Sequence, residues 1–275
     1  MNLIDPKSYD TTISKLRSFF KDRDFIEVPV QSRLSILAAC EDPRTLATFE
    51  YAGNRWPLPQ TGQMWLEYEL LKNPGAPGFF CISTSYRQEP NPIPGRHDLI
   101  FPMFEFEMPG TMEHLRAMER DLLKTLGFPA PIHIDYIAAA NEYGVKELTA
   151  AHEEALNKDM GSAVFLENFP EYTSPFWNMK RGPKGDVVTA NKIDVILHGV
   201  ETIGSAERAT DKAEMNELFH TISGGGYADI LYSKFGKDRV EAELKEFLAH
   251  DFFDRVGGGI GVTRMIRAMG LSGLL

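Results

Sequence analysis

The chain has 275 residues, enough for one large domain with a sizeable core. Hydrophobic residues make up 43% and charged residues 25%, as in an ordinary globular protein. Lys and Arg total 29 against 39 for Asp and Glu, so the net charge is -10, which excludes a broad basic surface for nucleic acid but not a local basic pocket.

The opening "MNLIDPKSYD" has no apolar core behind a charged start, so it does not read as a signal peptide. No run approaches the roughly 18 apolar residues that span a membrane. Cys40 and Cys81 lack metal-ligand spacing, so neither a disulfide framework nor a zinc site is expected, and a reducing cytoplasm fits.

Along the chain, "TTISKLRSFFKDRDF" has helical apolar spacing, with Asp10 or Thr11 as its expected N-cap. "FIEVPV" reads as a short strand stopped near Pro29, and "TFEYAGNRWPL" as a hairpin turning at Gly53-Asn54. "TGQMWLEYELLKN" predicts a helix from Thr61 that ends before "PGAPG". "FFCISTSYR" and "LIFPMFEFEM" predict strands on either side of a loop. "GTMEHLRAMERDLLKTLGF" predicts a helix stopped at Gly127. A strand follows near "SAVFLENF", and "KIDVILHGVETIGS" predicts two strands turning at His198-Gly199. Helices are expected at "DKAEMNELFHTI" and "KDRVEAELKEFLAHDFF", and "RVGGGIGVTRMIRAMG" reads as a glycine-rich strand entering a helix. Regular βαβ alternation is absent. The expected class is therefore α+β, an antiparallel sheet flanked by helices in one domain over residues 1–275.

Three stretches carry candidate chemistry. In "SYRQEPNPIPGRHDLIF", Arg87, Arg96 and His97 are suited to a polyphosphate and Phe101 to stacking on a base. The plain alternative is a solvated hairpin tip. In "GGGIGVTR", glycines bring backbone close to a ligand beside Arg264, or simply let strand and helix pack tightly. In "DVILHGVETIGSAER", Asp194 and Glu201 flank a turn with Arg208 beyond. Two carboxylates plus a substrate phosphate suit Mg²⁺, and edge or surface positions are the alternative.

Together these stretches resemble the catalytic domain of class II aminoacyl-tRNA synthetases, in the aspartate/asparagine/lysine subgroup. The second class signature is similar to "YRQEPNPIPGRHDLIFPMFEFE" and the third to "GGGIGVTR"; the first is loosely similar to "FIEVPV". "TGQMWLE" and "ETIGSAER" resemble segments of the asparaginyl enzymes. The resemblance implies ATP with Mg²⁺, an acyl-adenylate, and a homodimer formed through the first signature. It assigns the α-phosphate to Arg87, adenine to Glu89, outer phosphates to Arg96, His97 and Arg264, and base stacking to Phe101. It gives Mg²⁺ to Asp194 and Glu201, the substrate ammonium to Gln63 and Glu105, and the side-chain oxygen to Arg208. Aspartyl enzymes carry lysine at the place of Leu66. Glu67 would instead accept a bond from a side-chain amide, unless it lies on an exposed helix face.

Departures stand at Ile100, Thr263 and Ser205-Ala206. The first signature comes so early that the subgroup's preceding tRNA-reading barrel has no room, so tRNA is an uncertain acceptor. The expected function is an AMP-forming ligase for an asparagine-like amino acid. Its alternatives are an aspartate-ammonia ligase and a silent amino-acid sensor.

Overall fold

A computed structural model describes residues 3–31, 34–37, 43–93, 96, 98–182 and 186–275. Helix α1 (Pro6–Lys21) begins earlier than its apolar spacing predicts. Pro6 fits the first turn, and Asp5 rather than Asp10 or Thr11 caps it, accepting from the Ser8 N–H at 2.8 Å. β1 (Ile26–Glu27) follows. The hairpin of β2 (Ala47–Tyr51) and β3 (Asn54–Leu58) turns at Ala52-Gly53, one residue before the expected pair. Both turn residues have positive φ, 51° and 74°, as a tight two-residue turn between twisted strands requires.

Next come α2 (Gln63–Lys72), β4 (Phe79–Tyr86), β5 (Ile100–Pro109) and α3 (Met112–Leu126). Gly127 ends α3 at φ 99°, the left-handed stop expected of it. β6 (Ile132–Asp135), α4 (Tyr136–Glu142) and α5 (Ala150–Met160) were not foreseen; β6 and α4 are short, and α5 buries only Leu156 and so carries no apolar stripe. β7 (Ala163–Pro170) precedes β8 (Thr189–Leu197) and β9 (Val200–Glu207), which turn at His198-Gly199 as predicted. α6 (Lys212–Thr221), the unforeseen α7 (Gly226–Phe235) and α8 (Lys237–Leu248) lead to β10 (Arg255–Gly261) and α9 (Val262–Leu271).

Eight strands form one sheet in the order β1-β4-β5-β10-β9-β8-β7-β6. Its inner pairs are antiparallel and only its two outermost pairs, β1 with β4 and β6 with β7, are parallel. This is the expected helix-flanked, antiparallel-dominated α+β sheet. Alternation along β5 sorts its side chains. Phe104, Phe106 and Met108 enter a core with α1, α3 and α9, while Met103, Glu105 and Glu107 face the other way. That second face is covered by α2 and α6–α8, around Met64, Tyr68, Trp177, Phe219 and Phe247. Among the described residues no helix is long and apolar enough to cross a membrane.

Candidate active site

The polar face of the sheet is built by residues that share a side through strand alternation. At its centre the glycines of β10 remove side chains. A Cβ on Gly257 would fall 1.7 Å from Glu107 Oε2, and one on Gly259 would fall 2.7 Å from Gln63 Nε2 and 2.8 Å from the Met103 methyl. Part of the glycine run therefore makes room for the protein's own carboxylate and amide, and part of it floors a cavity.

Four charges lie buried in that bed. Arg208 donates to both oxygens of Glu107, from Nε at 3.1 Å and from Nη2 at 3.0 Å, and from Nη2 to Gln63 Oε1 at 3.2 Å. Arg255 donates to Glu67 Oε2 from Nε at 3.1 Å and from Nη2 at 2.8 Å. Asn178 Nδ2 donates to Glu67 Oε1 at 2.5 Å. Burial pushes the Glu107 carboxyl up, against the pull of Arg208. Glu67 is fully buried, which removes the exposed-helix alternative. Its helix α2 is buried on several sides, so its pattern does not mark a solvent face.

Glu105, expected at the substrate ammonium, is held by donors of the protein itself. Its carboxylate accepts from the Thr61 and Ser83 hydroxyls and from the Gly62 N–H at 2.8 Å, at the N-terminus of α2. It is not among the residues lining the adjoining cavity. The carboxylate holds the helix that carries Gln63 and Glu67 against the sheet. Burial raises its carboxyl despite those donors.

Two cavities adjoin on this face. One of about 220 Å³ is bounded by Gln63, Glu67, Arg208, Asn178 and Gly259, and reaches Arg87, Glu89, Lys192 and Glu201. The other, of about 170 Å³, is lined by Arg87, Glu89, Arg96, Phe101, Glu201 and Arg264, with Asp98 and Thr263. The loop after β4 and the first turn of α9 therefore face one space, and Arg87, Glu89 and Glu201 belong to both cavities. The Arg87 guanidinium lies 5.5 Å from the Phe101 ring centroid, and the Arg87 backbone N–H donates to Leu99 O at 2.8 Å, closing the loop. Arg96 is tied to Glu153 of α5 at 2.6 Å. His97 lies outside the described residues.

Asp194 and Glu201 converge over Gly204. A Cβ there would lie 3.7 Å from Asp194 Oδ1 and 3.1 Å from Glu201 Oε1, so glycine keeps the gap between the carboxylates open. Burial opposes the Glu201 charge, but Arg264, Lys192 and Arg87 outweigh it and hold the carboxyl below the ordinary glutamate range. Arg264 Nη1 donates to Glu201 O at 2.7 Å. Lys192 Nζ is 3.4 Å from Asp194 Oδ1. Among the described residues no cluster of three or more His, Cys, Asp or Glu is set for a metal. Two carboxylates completed by substrate phosphate are the donor set that suits Mg²⁺.

Sequence reading missed Lys192, Arg255 and Asn178. Lys192 stands two residues before Asp194, so strand period places both on one face, a signal that was available. Arg255 opens the glycine strand, and a buried arginine demands a partner, but nothing local names Glu67 as that partner. Asn178 sits in an irregular segment without a pattern.

A family model described as tRNA synthetases class II (D, K and N) matches residues 7–272. Asparagine–tRNA ligase of Pelotomaculum thermopropionicum is 25% identical over 228 residues, covering 70% of this chain and 51% of that protein. The Desulforamulus reducens counterpart is 26% identical over 231 residues, covering 71% and 52%. The chain thus spans about half the length of these relatives. Asparaginyl-tRNA synthetase of Pyrococcus horikoshii, solved with asparaginyl-adenylate, superposes with a TM-score of 0.78 at 20% identity, covering 95% of this chain and 64% of that one. The Entamoeba histolytica enzyme, also solved with asparaginyl-adenylate, gives 0.77 at 18% identity, covering 97% and 63%. With its two adjoining cavities and a family match over nearly its whole length, the chain belongs to the class II tRNA synthetases of the aspartate, lysine and asparagine group.

Proposed function

We propose that the chain activates an asparagine-like amino acid with ATP, forming an acyl-adenylate and pyrophosphate. The observation that carries this is the shared wall: Arg87, Glu89 and Glu201 line both the cavity holding Arg264 and the cavity ending at Glu67. A carboxylate in one cavity would lie next to an α-phosphate in the other. It attacks phosphorus, the bond to the bridging oxygen breaks, and pyrophosphate leaves with the electron pair. Such a reaction needs positioning and charge compensation more than proton transfer. Arg87 serves the α-phosphate and the reacting carboxylate, and Arg96, His97 and Arg264 serve the outer phosphates. Phe101 stacks on adenine while Glu89 reads its edge. Asp194 and Glu201 would hold Mg²⁺, which supplies positive charge against the phosphates. Lys192 already brings an ammonium to Asp194, and its charge also acts on Glu201.

The substrate's side chain meets a neutral set, Glu67 and Glu107 against Arg208 and Arg255. An amide enters this buried set without adding charge, whereas a carboxylate would leave one charge uncompensated. Gln63 is positioned for the polar groups around the α-carbon. The relatives' own names and the adenylate in two structural neighbours support the asparagine reading. Arg208 lines the cavity and favours the second reading, aspartate activation followed by ammonia transfer, but both oxygens of Glu107 already occupy it.

Pyrophosphate exchange into ATP, run across the amino acids, tests the proposal. Asparagine should support exchange above aspartate. Exchange with aspartate alone, followed by asparagine formation from ammonia, would establish the second reading. Binding of an amino acid with no exchange would leave a sensor. A homodimer belongs to the same proposal, and sedimentation of the purified chain tests it.

A further inference from the structure

Three cavities, not two, meet at Glu201. The third measures about 700 Å³ and shares Lys192 and Glu201 with the amino-acid cavity. Tyr136, Phe169, Tyr172 and Tyr227 contribute its aromatic walls. The adenylate chemistry already assigned uses two cavities, and a transfer reaction requires a place for the group that receives the acyl chain.

The third cavity is lined by two cations, Arg44 and Lys192, and by four carboxylates, which fall into two sets. The inner carboxylates are engaged: Asp194 with Lys192 at 3.4 Å, Glu201 with Arg264 at 3.4 Å, and Glu153 with Arg96 at 2.6 Å. Glu147 is in no ion pair among the described residues, and it is held on the cavity wall by its neighbours. Tyr172 OH donates to Lys146 O at 3.0 Å, and the Leu148 N–H donates to Tyr136 OH at 2.9 Å. The backbone on either side of Glu147 is thus fixed to two aromatic residues that line the same space. An exposed carboxylate suits a cation by charge, and Lys146 Nζ and Lys192 Nζ already lie 4.7 and 4.2 Å from the Tyr172 and Phe169 ring centroids, so these walls accept ammonium groups by cation–π contact. Carboxylates outnumber cations along these walls, and they would repel the phosphates of an RNA end. The volume is that of a small-molecule site.

We propose that this cavity is the acceptor subsite and that the acceptor is a small diamine-like molecule. One protonated amine rests at Glu147, and a second, unprotonated amine faces Glu201. The inference rests on the adenylate-forming reading above. The free amine's nitrogen attacks the acyl carbon, the carbon–oxygen bond to the phosphate breaks, and AMP leaves with the electron pair. The proton released from nitrogen passes to water in the open cavity, and the product is an amide.

The test uses the full chain with asparagine, ATP and Mg²⁺, and follows AMP release with 1,4-diaminobutane, butylamine or unfractionated tRNA as acceptor. The diamine should exceed butylamine by about tenfold, the worth of one well-placed charge. Glu147→Gln should raise the diamine's KM about tenfold with kcat and pyrophosphate exchange unchanged. Release driven by tRNA and not by diamine would overturn the inference, as would equal use of diamine and butylamine. Calorimetric binding of 1,4-diaminobutane separates the two levels. Binding weakened by Glu147→Gln without any exchange would sink the adenylate reading and keep the cation subsite. Exchange without diamine binding would do the reverse.

Discussion

β5 has two faces that solve opposite problems. Phe104 and Phe106 point into a core with α1, α3 and α9, where Phe20 lies 5.1 and 5.2 Å from their rings. Glu105 and Glu107, on the same strand, point into a face just as buried, where every carboxylate needs named donors. The apolar face tolerates approximate partners because burial is nondirectional. The polar face does not, since one missing partner strands a charge. The same sheet therefore holds a forgiving structural side and an exacting chemical side. A site for charged ligands can be built only on the second.

The largest expected effect probes a carboxyl on the wrong side of this division. Glu119 of α3 is fully buried against the apolar face, and burial raises its carboxyl to about 8, opposed by Ser205 and helped by Glu167. The Ser205 hydroxyl donates to Ile193 O at 3.3 Å, so it gives Glu119 limited relief. A carboxyl raised in the folded state stabilises fully below its unfolded value of 4.5, and that stability is lost as pH climbs toward about 8. Unfolding free energy should therefore fall by roughly 4–5 kcal/mol across that window. Glu119→Gln should abolish this part of the pH dependence in denaturant titrations. An unchanged pH profile would mean that Glu119 is solvated and the apolar face is less dry than described.

Phe104→Ala tests the forgiving side and should cost about 4 kcal/mol of stability. Pyrophosphate exchange per folded molecule should survive it. Arg264→Ala tests the exacting side, with little change in stability and a loss of exchange of about 10³-fold, the scale of one preorganised charge. If the two variants had the same profile, the division between the faces would fail. Arg255→Met should cost about 3 kcal/mol by leaving Glu67 without its cation, and adding Glu67→Gln should restore part of that loss. Additive losses in that double variant would show that the pair does not act as a unit.

How much of this was legible follows the same division. Patterning gave α1, α3, β5, β8 and β9 because a face packed on a core repeats, and the glycine run gave β10. It could not give β6 and α4, which are short, or α5, which buries only Leu156. Arg87, Phe101, Glu201 and Arg264 were legible as residues in motifs, and the fold brings them to one cavity. Glu105 was legible as a carboxylate in a motif, but its donors Thr61, Gly62 and Ser83 were not, because they lie on other elements. Arg255 and Asn178 were unread because the contact with Glu67 spans 188 and 111 positions. Charge pairing carries no period, so its partners emerge only with the tertiary structure.

The smallest effect is the most specific to substrate choice. Glu67→Gln keeps the volume of the side chain and a hydrogen-bonding oxygen, but removes the charge that balances Arg255. The buried set then carries one excess positive charge, which an aspartate side chain would neutralise and an asparagine side chain would not. Selectivity for asparagine over aspartate in pyrophosphate exchange should fall about tenfold, near 1.4 kcal/mol. Most of the change should lie in a lower KM for aspartate, because the substrate's side chain takes no part in the bond-making step. Unaltered selectivity would mean that Glu67 acts only to hold Arg255 and Asn178, and that the cavity reads its amino acid through Gln63 and Arg208 alone.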